Sequence, residues 1–208
     1  MRILKAILLF TGILFFAGSL LTGCMSRKQP TNKYYVLERP EGAGDSITPR
    51  SAAIDGYCEV APVDVYPAYA SQSIARRKES HELVYYSYHH WAVRPGETMT
   101  LLVEDYMDQA AVFDGVSTRF WKTSPDFRLE TTVFHLEALP ENKDMVAHLS
   151  LRFTLIDNRD DESLVVHHAD RKERLPRKDL NLYAKAMGEI FHEELDRFSR
   201  KITEQLGE

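Results

Sequence analysis

Residues 144–157 read Asp-Met-Val-Ala-His-Leu-Ser-Leu-Arg-Phe-Thr-Leu-Ile-Asp, and this alternating stretch decides the fold. Every second residue over 147–155 is apolar, which is the two-residue period of a strand with one buried face. An earlier alternating segment contains Phe134 and Leu136, which we expect to share a face, and it ends at the polar residues 140–143. The two segments therefore predict an antiparallel hairpin closed by those polar residues.

Toward the C-terminus, a second polar turn over 157–162 leads into a third predicted strand over 163–169. The Leu175-Pro176 pair ends this pattern, and Asp179 is the predicted N-cap of a helix that reaches Leu206. Apolar residues form one stripe along this helix at a period of 3.6 residues. The stripe consists of Leu180, Tyr183, Ala184, Met187, Ile190, Phe191, Leu195, Phe198, Ile202 and Leu206.

Toward the N-terminus, four segments have the composition of strands, namely 34–37, 57–65, 73–78 and 82–91. A second amphipathic helix is predicted to begin at Pro95-Gly96 and to end at Gly115. Its stripe consists of Met99, Leu102, Val103, Tyr106, Met107, Ala110 and Phe113. Strands, helix, strands and helix in this order predict an α+β domain, with an antiparallel-rich sheet and two amphipathic helices packed on one face.

The composition of the chain narrows its function. It has 208 residues, 44% hydrophobic and 27% charged, which is globular composition and excludes collagen-like or disordered chains. A net charge of −5 gives no basic footprint for nucleic acid. The phosphate-loop, dinucleotide, nucleophile-elbow and zinc-protease motifs are missing from the sequence. We therefore predict a non-enzymatic protein without a cofactor.

Two histidines and one cysteine are the remaining candidates for chemistry. His135 and His148 lie on opposite arms of the predicted hairpin, so they can meet on one face. A metal site needs further ligands that the sequence does not offer nearby, so we expect a packed or solvated cross-strand pair and no metal. Cys58 stands in an apolar strand-like stretch, which favours a buried inert thiol over a nucleophile.

The N-terminus has the pattern of an export signal. Arg2 and Lys5 precede an uncharged apolar run over 6–21, which is shorter than the roughly 20 residues of a membrane-spanning helix. The run ends in Leu21-Thr22-Gly23-Cys24, which resembles the lipobox of bacterial lipoproteins. That resemblance implies cleavage after residue 23 and acylation of Cys24. The alternatives are an ordinary secretory signal with a chance cysteine and a retained membrane anchor.

These boundaries divide the chain into a signal peptide (1–23), a tether (24–33) and a domain (34–208). Two or more acyl chains anchor a protein stably to a membrane without spanning it. Met25 follows the cysteine, and in the sorting pattern of lipoproteins from two-membrane bacteria this residue favours the outer membrane. For a source with two membranes, the resemblance therefore implies a lipid-anchored protein on the periplasmic face of the outer membrane.

Four short motifs follow one another in the predicted domain. They are Tyr34-Tyr35-Val36-Leu37, Val60-Ala61-Pro62-Val63, Ile74-Ala75-Arg76-Arg77 and His90-Trp91-Ala92-Val93. In this order and after a lipobox, they resemble the auxiliary lipoproteins of ABC-type, MCE-linked lipid transport systems, which include the paraquat-inducible-operon lipoproteins. The acidic residue that follows Trp-Ala in that family is replaced here by Val93.

The resemblance implies an accessory, docking function. Its implied partners are an MCE-domain protein and the associated ABC permease and ATPase, with the lipid anchor in the outer membrane; it leaves homo-oligomerisation open. The sequence has no phosphate loop and no span long enough to cross a bilayer after the signal, which agrees with an accessory role. Two alternatives are a structural or assembly lipoprotein of the envelope and a lipid-binding carrier with its own cavity.

The segments 74–77 and 85–91 are predicted to form or support the docking surface, since Arg, Tyr and Trp are enriched at binding hot spots. Its candidate residues are Ile74, Arg76, Arg77, Tyr88, His90 and Trp91. An exposed strand edge there would also accept a partner strand. In the alternative interpretation the aromatics, Trp91 included, belong to the core. That interpretation places both arginines on a solvated face. Since removal of an exposed charge changes stability little, replacing Arg76 and Arg77 together by alanine should leave thermal stability nearly unchanged.

Overall fold

The structure is a computed structural model that describes residues 30–42, 47, 54–141 and 144–207. The predicted signal peptide, Cys24 and most of the tether lie outside the described residues. From Asn32 onward the described residues form one compact unit. Its elements are β1 (Lys33–Tyr35), β2 (Ile54–Val60), β3 (Asp64–Val65), β4 (Ser73–Arg77), β5 (Leu83–Trp91), α1 (Pro95–Gln109), β6 (Phe113–Ser117), β7 (Phe127–Glu141), β8 (Asp144–Asp157), β9 (Glu162–Leu175) and α2 (Leu180–Leu206). The α+β prediction is confirmed.

The predicted hairpin is the centre of the sheet. β7 and β8 pair antiparallel from Phe127↔Asp157 to Glu141↔Asp144, and β9 continues the meander on the other side of β8. β9 extends to Leu175, six residues past the predicted end at Ala169. The extension keeps its ladder with β8, and its charged side chains suit a strand at the edge of a sheet.

The other edge of β7 receives strands from the first half of the chain. β2, β3 and β4 all pair with β7 in parallel, β5 pairs antiparallel with β4, and β1 and β6 are the outer strands. The predicted strand 57–65 is divided into β2 and β3 around Pro62. A proline has no N–H to donate to a ladder, so pairing is interrupted there.

α1 is shorter than predicted, and the residues after it form a strand. The helix ends at Gln109, Ala111 turns the chain with φ of 47°, and Phe113–Ser117 pairs with β2 as β6. The predicted stop at Gly115 is therefore wrong. Gly115 lies inside β6, where a Cβ would sit 3.1 Å from the Tyr57 ring. Phe113 matches the helical period by coincidence.

Both helices cover one face of the sheet, and the core lies beneath them. The ring of Phe153 on β8 packs 5.2 Å from that of Phe198 on α2, and Trp91 packs 5.8 Å from Tyr183. The predicted cap of α2 is confirmed, because the Asp179 carboxylate accepts a 2.8 Å hydrogen bond from the backbone N–H of Asn181. The helical periodicity of the sequence therefore identifies the core correctly.

We term the side of the sheet opposite the helices the outer face. A bulge in β7 determines which residues of that strand lie on it. The register shifts between Val133 and His135, so the expectation that Phe134 and Leu136 share a face is wrong. Leu136 is buried with the core, whereas Phe134 is only half-buried and lies under the guanidinium of Arg152. Beyond the bulge, alternation turns His135 and Glu137 to the outer face.

Candidate docking surface

The predicted docking residues divide between the core and the surface. Ile74 and Trp91 are buried in the hydrophobic core, so they stabilise the strands from inside and are not accessible to a partner. Tyr88 is 46% exposed and His90 is half-buried. The structure thus favours the core interpretation for Trp91, while it leaves the neighbouring residues of β5 at the surface.

The two arginines of β4 point to opposite faces because adjacent strand residues alternate. Arg76 is exposed, and its guanidinium lies 5.5 Å from the centre of the Tyr86 ring. Arg77 instead donates to the buried carboxylate of Glu137, with a shortest contact of 2.8 Å. The expectation that both arginines are solvated is therefore wrong for Arg77, since its removal would leave a buried carboxylate without its ion pair.

Glu137 is the centre of a buried polar cluster on the outer face. Its carboxylate accepts hydrogen bonds from Arg77, from the hydroxyl of Tyr69 at 3.0 Å and from Nδ1 of His148 at 3.2 Å. Burial alone would raise the pKa of Glu137, but the hydrogen bonds from His148, Tyr69 and Arg77 outweigh it and leave the pKa lowered. Three side chains already donate hydrogen bonds to the Glu137 carboxylate. We therefore interpret the cluster as structural, because it links β4, β7 and β8.

His135 and His148 share a face, as the hairpin predicts. Their rings stack at 4.9 Å between centres, and Nε2 of His148 lies 2.8 Å from the Asp170 carboxylate. Burial first, and then the neighbouring His148, lower the pKa of His135. Across the described ranges, no group of three or more His, Cys, Asp or Glu side chains is arranged to hold a metal ion.

One group of exposed residues lies where β1 pairs with β5. Tyr34 on β1 is 61% exposed, and its ring lies 5.8 Å from that of His90 on β5. Tyr88, two residues before His90 on β5, and Val36, directly after β1, are also exposed. We term Tyr34, Val36, Tyr88 and His90 the aromatic edge. In the described sheet β1 is an outer strand that pairs with β5. The Tyr-x-Val pattern of the first motif was the sequence signal for Tyr34 and Val36, which our prediction of the surface omitted.

A tyrosine of β5 connects this strand to a loop. The Tyr85 hydroxyl donates a 2.8 Å hydrogen bond to the carbonyl oxygen of Ala68. The same loop carries Tyr69, which is buried against Glu137. Tyr85 is therefore exposed and also structural, so it makes a poor probe of docking.

Two further observations bear on chemistry and on the membrane. Cys58 is fully buried, and burial raises the pKa of its thiol to about 12, as expected for an inert side chain. None of the helices in the described residues is both long enough and apolar enough to cross a membrane.

Comparison with known proteins gives a family match and several similar structures. A family model described as an ABC-type transport auxiliary lipoprotein component matches residues 35–198. The crystal structure of protein XCC0632 from Xanthomonas campestris is similar, with a TM-score of 0.69, 16% identity, and coverage of 83% of this chain and 97% of that one. A second crystal structure, of an uncharacterised protein, gives a TM-score of 0.65 at 13% identity, covering 83% and 99%. No curated protein matches the sequence significantly. At these identities the structural likeness establishes the fold.

Proposed function

Since the chain belongs to the family of ABC-type transport auxiliary lipoprotein components, we propose that it docks an MCE-domain protein at the outer membrane. In this role the lipoprotein is an accessory part of a lipid transport system whose permease and ATPase lie in the inner membrane. It provides a docking surface for the MCE-domain protein that is anchored at the outer membrane. The energy for transport comes from its partners.

The aromatic edge is the observation that carries this proposal. Large apolar side chains that are exposed together on one surface are typical of interaction sites. Tyrosine supplies much contact area at low conformational cost, which is why it is frequent at interfaces. The side of β1 that carries no strand within the described residues adds backbone groups with which a strand of the partner would pair.

The position of the aromatic edge in the chain also supports docking near the membrane. The predicted tether, residues 24–33, leads directly into β1 at Lys33. An extended chain spans at most about 3.5 Å per residue, so ten residues hold β1 within roughly 35 Å of a lipid anchor at Cys24. A partner that arrives from the inner membrane would therefore meet the aromatic edge close to the outer membrane.

Co-purification from solubilised envelopes tests the proposal. We expect the tagged lipoprotein to recover an MCE-domain protein, identified by mass spectrometry, and we expect Tyr34→Ser combined with Tyr88→Ser to abolish this recovery. Both side chains are exposed, so the double variant should keep the thermal stability of the original chain. Trp121→Ser is the matched control, because Trp121 is 86% exposed and lies outside the aromatic edge.

Two outcomes would contradict the proposal. Normal recovery by the folded double variant would exclude the aromatic edge as the docking surface. Recovery of a peptidoglycan-binding protein or an outer-membrane β-barrel in place of an MCE-domain protein would favour a structural or assembly role instead.

A further inference from the structure

Residues 118–126 connect β6 to β7, and we term them the β6–β7 loop. Trp121 in this loop is 86% exposed, the largest exposed fraction of any large hydrophobic side chain within the described residues. The other tryptophan of the chain, Trp91, is 2% exposed and lies in the core. Tryptophan is highly buried on average in folded proteins, so an indole that is almost fully exposed indicates a contact outside the domain.

The base of the loop is held by α1 and β2. The backbone N–H of Thr118 donates a 2.9 Å hydrogen bond to the Glu104 carboxylate on α1. The Phe120 ring packs edge-on against the Tyr57 ring on β2, with 5.7 Å between their centres. At the other end, the N–H of Asp126 donates to the Tyr57 carbonyl oxygen at 2.8 Å, and its carboxylate accepts from the Tyr57 N–H at 2.9 Å. The loop is therefore fixed at both ends.

Two cations flank the aromatic residues of the loop. Arg119 and Lys122 are both exposed, and within the described residues neither side chain forms an ion pair. The carboxylates of Asp114 on β6 and Asp126 accept hydrogen bonds from the backbone of β2 instead. An indole beside unpaired cations is typical of segments that bind at the interface of an anionic bilayer, where the ring lies among the headgroups and the cations contact phosphates.

The surroundings of the indole favour a bilayer over a protein partner. A stable protein interface buries about 800 Å² on each side, and its tryptophans lie in well-packed pockets near the centre of that area. The residues that follow Trp121, which are Lys122, Thr123 and Ser124, are all exposed as well, so the indole has no packed neighbours on that side. A bilayer interface accepts a single amphipathic ring of this kind.

The predicted tether is long enough for the loop and the lipid anchor to contact one membrane. Tyr34 on β1 pairs with His90, and His90 pairs with Ser73, two residues before the partner of Glu137 on β7. β1 therefore lies about eight residues further along β7 than Phe127, where the loop ends, a distance of roughly 26 Å. The ten residues of the tether span up to about 35 Å.

We propose that the β6–β7 loop is a membrane-contact site, at which Trp121 enters the interface of an anionic bilayer and Arg119 and Lys122 bind lipid phosphates. The inference rests on the proposed lipid anchor at Cys24, which holds the loop beside the bilayer so that a weak contact suffices. The contact fixes which end of the sheet faces the membrane. Attachment itself comes from the anchor, so recovery of an MCE-domain protein does not depend on the loop.

Quenching of tryptophan fluorescence tests this site, because the chain has two tryptophans. The full-length lipoprotein is reconstituted into vesicles of phosphatidylethanolamine and phosphatidylglycerol, with or without bromine on the upper part of the acyl chains, and flotation verifies attachment. We expect the brominated lipid to quench the Trp121 emission, and we expect that emission to be shifted to the blue. The Trp121→Phe variant emits from Trp91 alone, which the brominated lipid should not quench because it is buried in the core.

The cations are tested with a charge-matched pair of variants. Replacing Arg119 and Lys122 by glutamine should lower the ratio of inserted to free loop by about thirtyfold, since each cation beside an anionic surface contributes about fivefold. The control combines Lys78→Gln with Arg94→Gln, which removes the same charge from exposed positions outside the loop. It should leave the quenching unchanged.

Four results would overturn the inference. Flotation without quenching would show that the loop stays outside the bilayer although the anchor holds. Undiminished quenching in the folded glutamine variant would exclude binding of phosphates by the two cations. An emission that bromine leaves unchanged, but that shifts to the blue when an MCE-domain protein is added, would make the loop a protein contact. A chain that does not float with the vesicles would refute the anchor at Cys24, and this inference with it.

Discussion

Arg77 and Glu137, sixty residues apart in the chain, form an ion pair with a shortest N–O distance of 2.8 Å, and the side chain of Glu137 is only 2% exposed. The pair joins β4 to β7 on the outer face and brings Tyr69 and His148 to the same carboxylate. One arginine thereby connects the loop before β4 to the central hairpin. Its neighbour Arg76 makes no such connection, which turns the two residues into a natural comparison.

Arg77→Ala should therefore destabilise the protein by about 2–4 kcal/mol, since it leaves a buried carboxylate without its ion pair. Arg76→Ala should cost less than about 1 kcal/mol, because it removes only an exposed charge and its contact with the Tyr86 ring. Urea unfolding of the two single variants measures the difference. Equal losses would contradict the structural role of Arg77.

The pH dependence of stability should contain a contribution from His135. Its pKa in the folded protein lies below the ordinary value of about 6.5, chiefly because of burial and next because of His148. The unfolded chain therefore takes up the proton first as the pH falls. The stability that neutral His135 contributes is complete above about pH 6.5 and is lost as the pH falls through that value toward the folded pKa.

His135→Gln removes this titration. The free energy of unfolding of the original chain should fall relative to that of the variant as the pH is lowered from about 7.5 to 5.5. Urea unfolding at each pH gives both curves. If the two curves stay parallel over this range, the pKa of His135 is the same in the folded and unfolded states.

Gly188 on α2 provides a test of packing in which two effects have opposite signs. Helix propensity alone predicts that Gly188→Ala stabilises the helix by about 1 kcal/mol. A Cβ at this position, however, would overlap the carbonyl oxygen of Glu38, which lies in the segment after β1. We expect a net loss of stability in thermal unfolding, and a gain would show that this segment does not rest on α2.

The two cysteines should differ completely in their chemistry. Cys24→Ala should block incorporation of labelled palmitate and either leave uncleaved precursor or release the domain from the membrane. In that variant the remaining thiol, Cys58, should react with a thiol reagent only after denaturation, because it is buried and its pKa is raised to about 12. Palmitate incorporation that persists in the Cys24→Ala variant would exclude Cys24 as the acylated residue.

Local patterns in the sequence predict the elements that bury one clean face. The alternation over 147–155 and the stripe along α2 are such patterns, and both are confirmed. The prediction is wrong where a local pattern fits two structures. Phe113 continues a helical period although its backbone belongs to β6, and Phe134 continues an alternation that the bulge interrupts.

The polar cluster and the proposed functional surfaces are harder to predict because they are assembled from distant segments. Nothing near Arg77 in the sequence indicates that it will form an ion pair with Glu137. The sequence therefore predicts the same exposed position for both arginines of β4. The β6–β7 loop is continuous in the sequence, but nothing local indicates that Phe120 packs on Tyr57 while Trp121 is exposed. Family motifs locate the aromatic edge better, since Tyr34 and His90 belong to two of them.

The parallel edge of β7 also constrains the order in which the chain acquires its structure. β2, β3 and β4 all precede β7 in the chain. Cys58 on β2, for example, pairs with Phe127, which is 69 residues further along. The meander of β7, β8 and β9 needs only short loops to close, so its nucleation costs less chain entropy. We expect the C-terminal half to form the template onto which the earlier strands condense. In the export that we propose, the first half would emerge with unpaired strand edges, and these would stay exposed until β7 has followed.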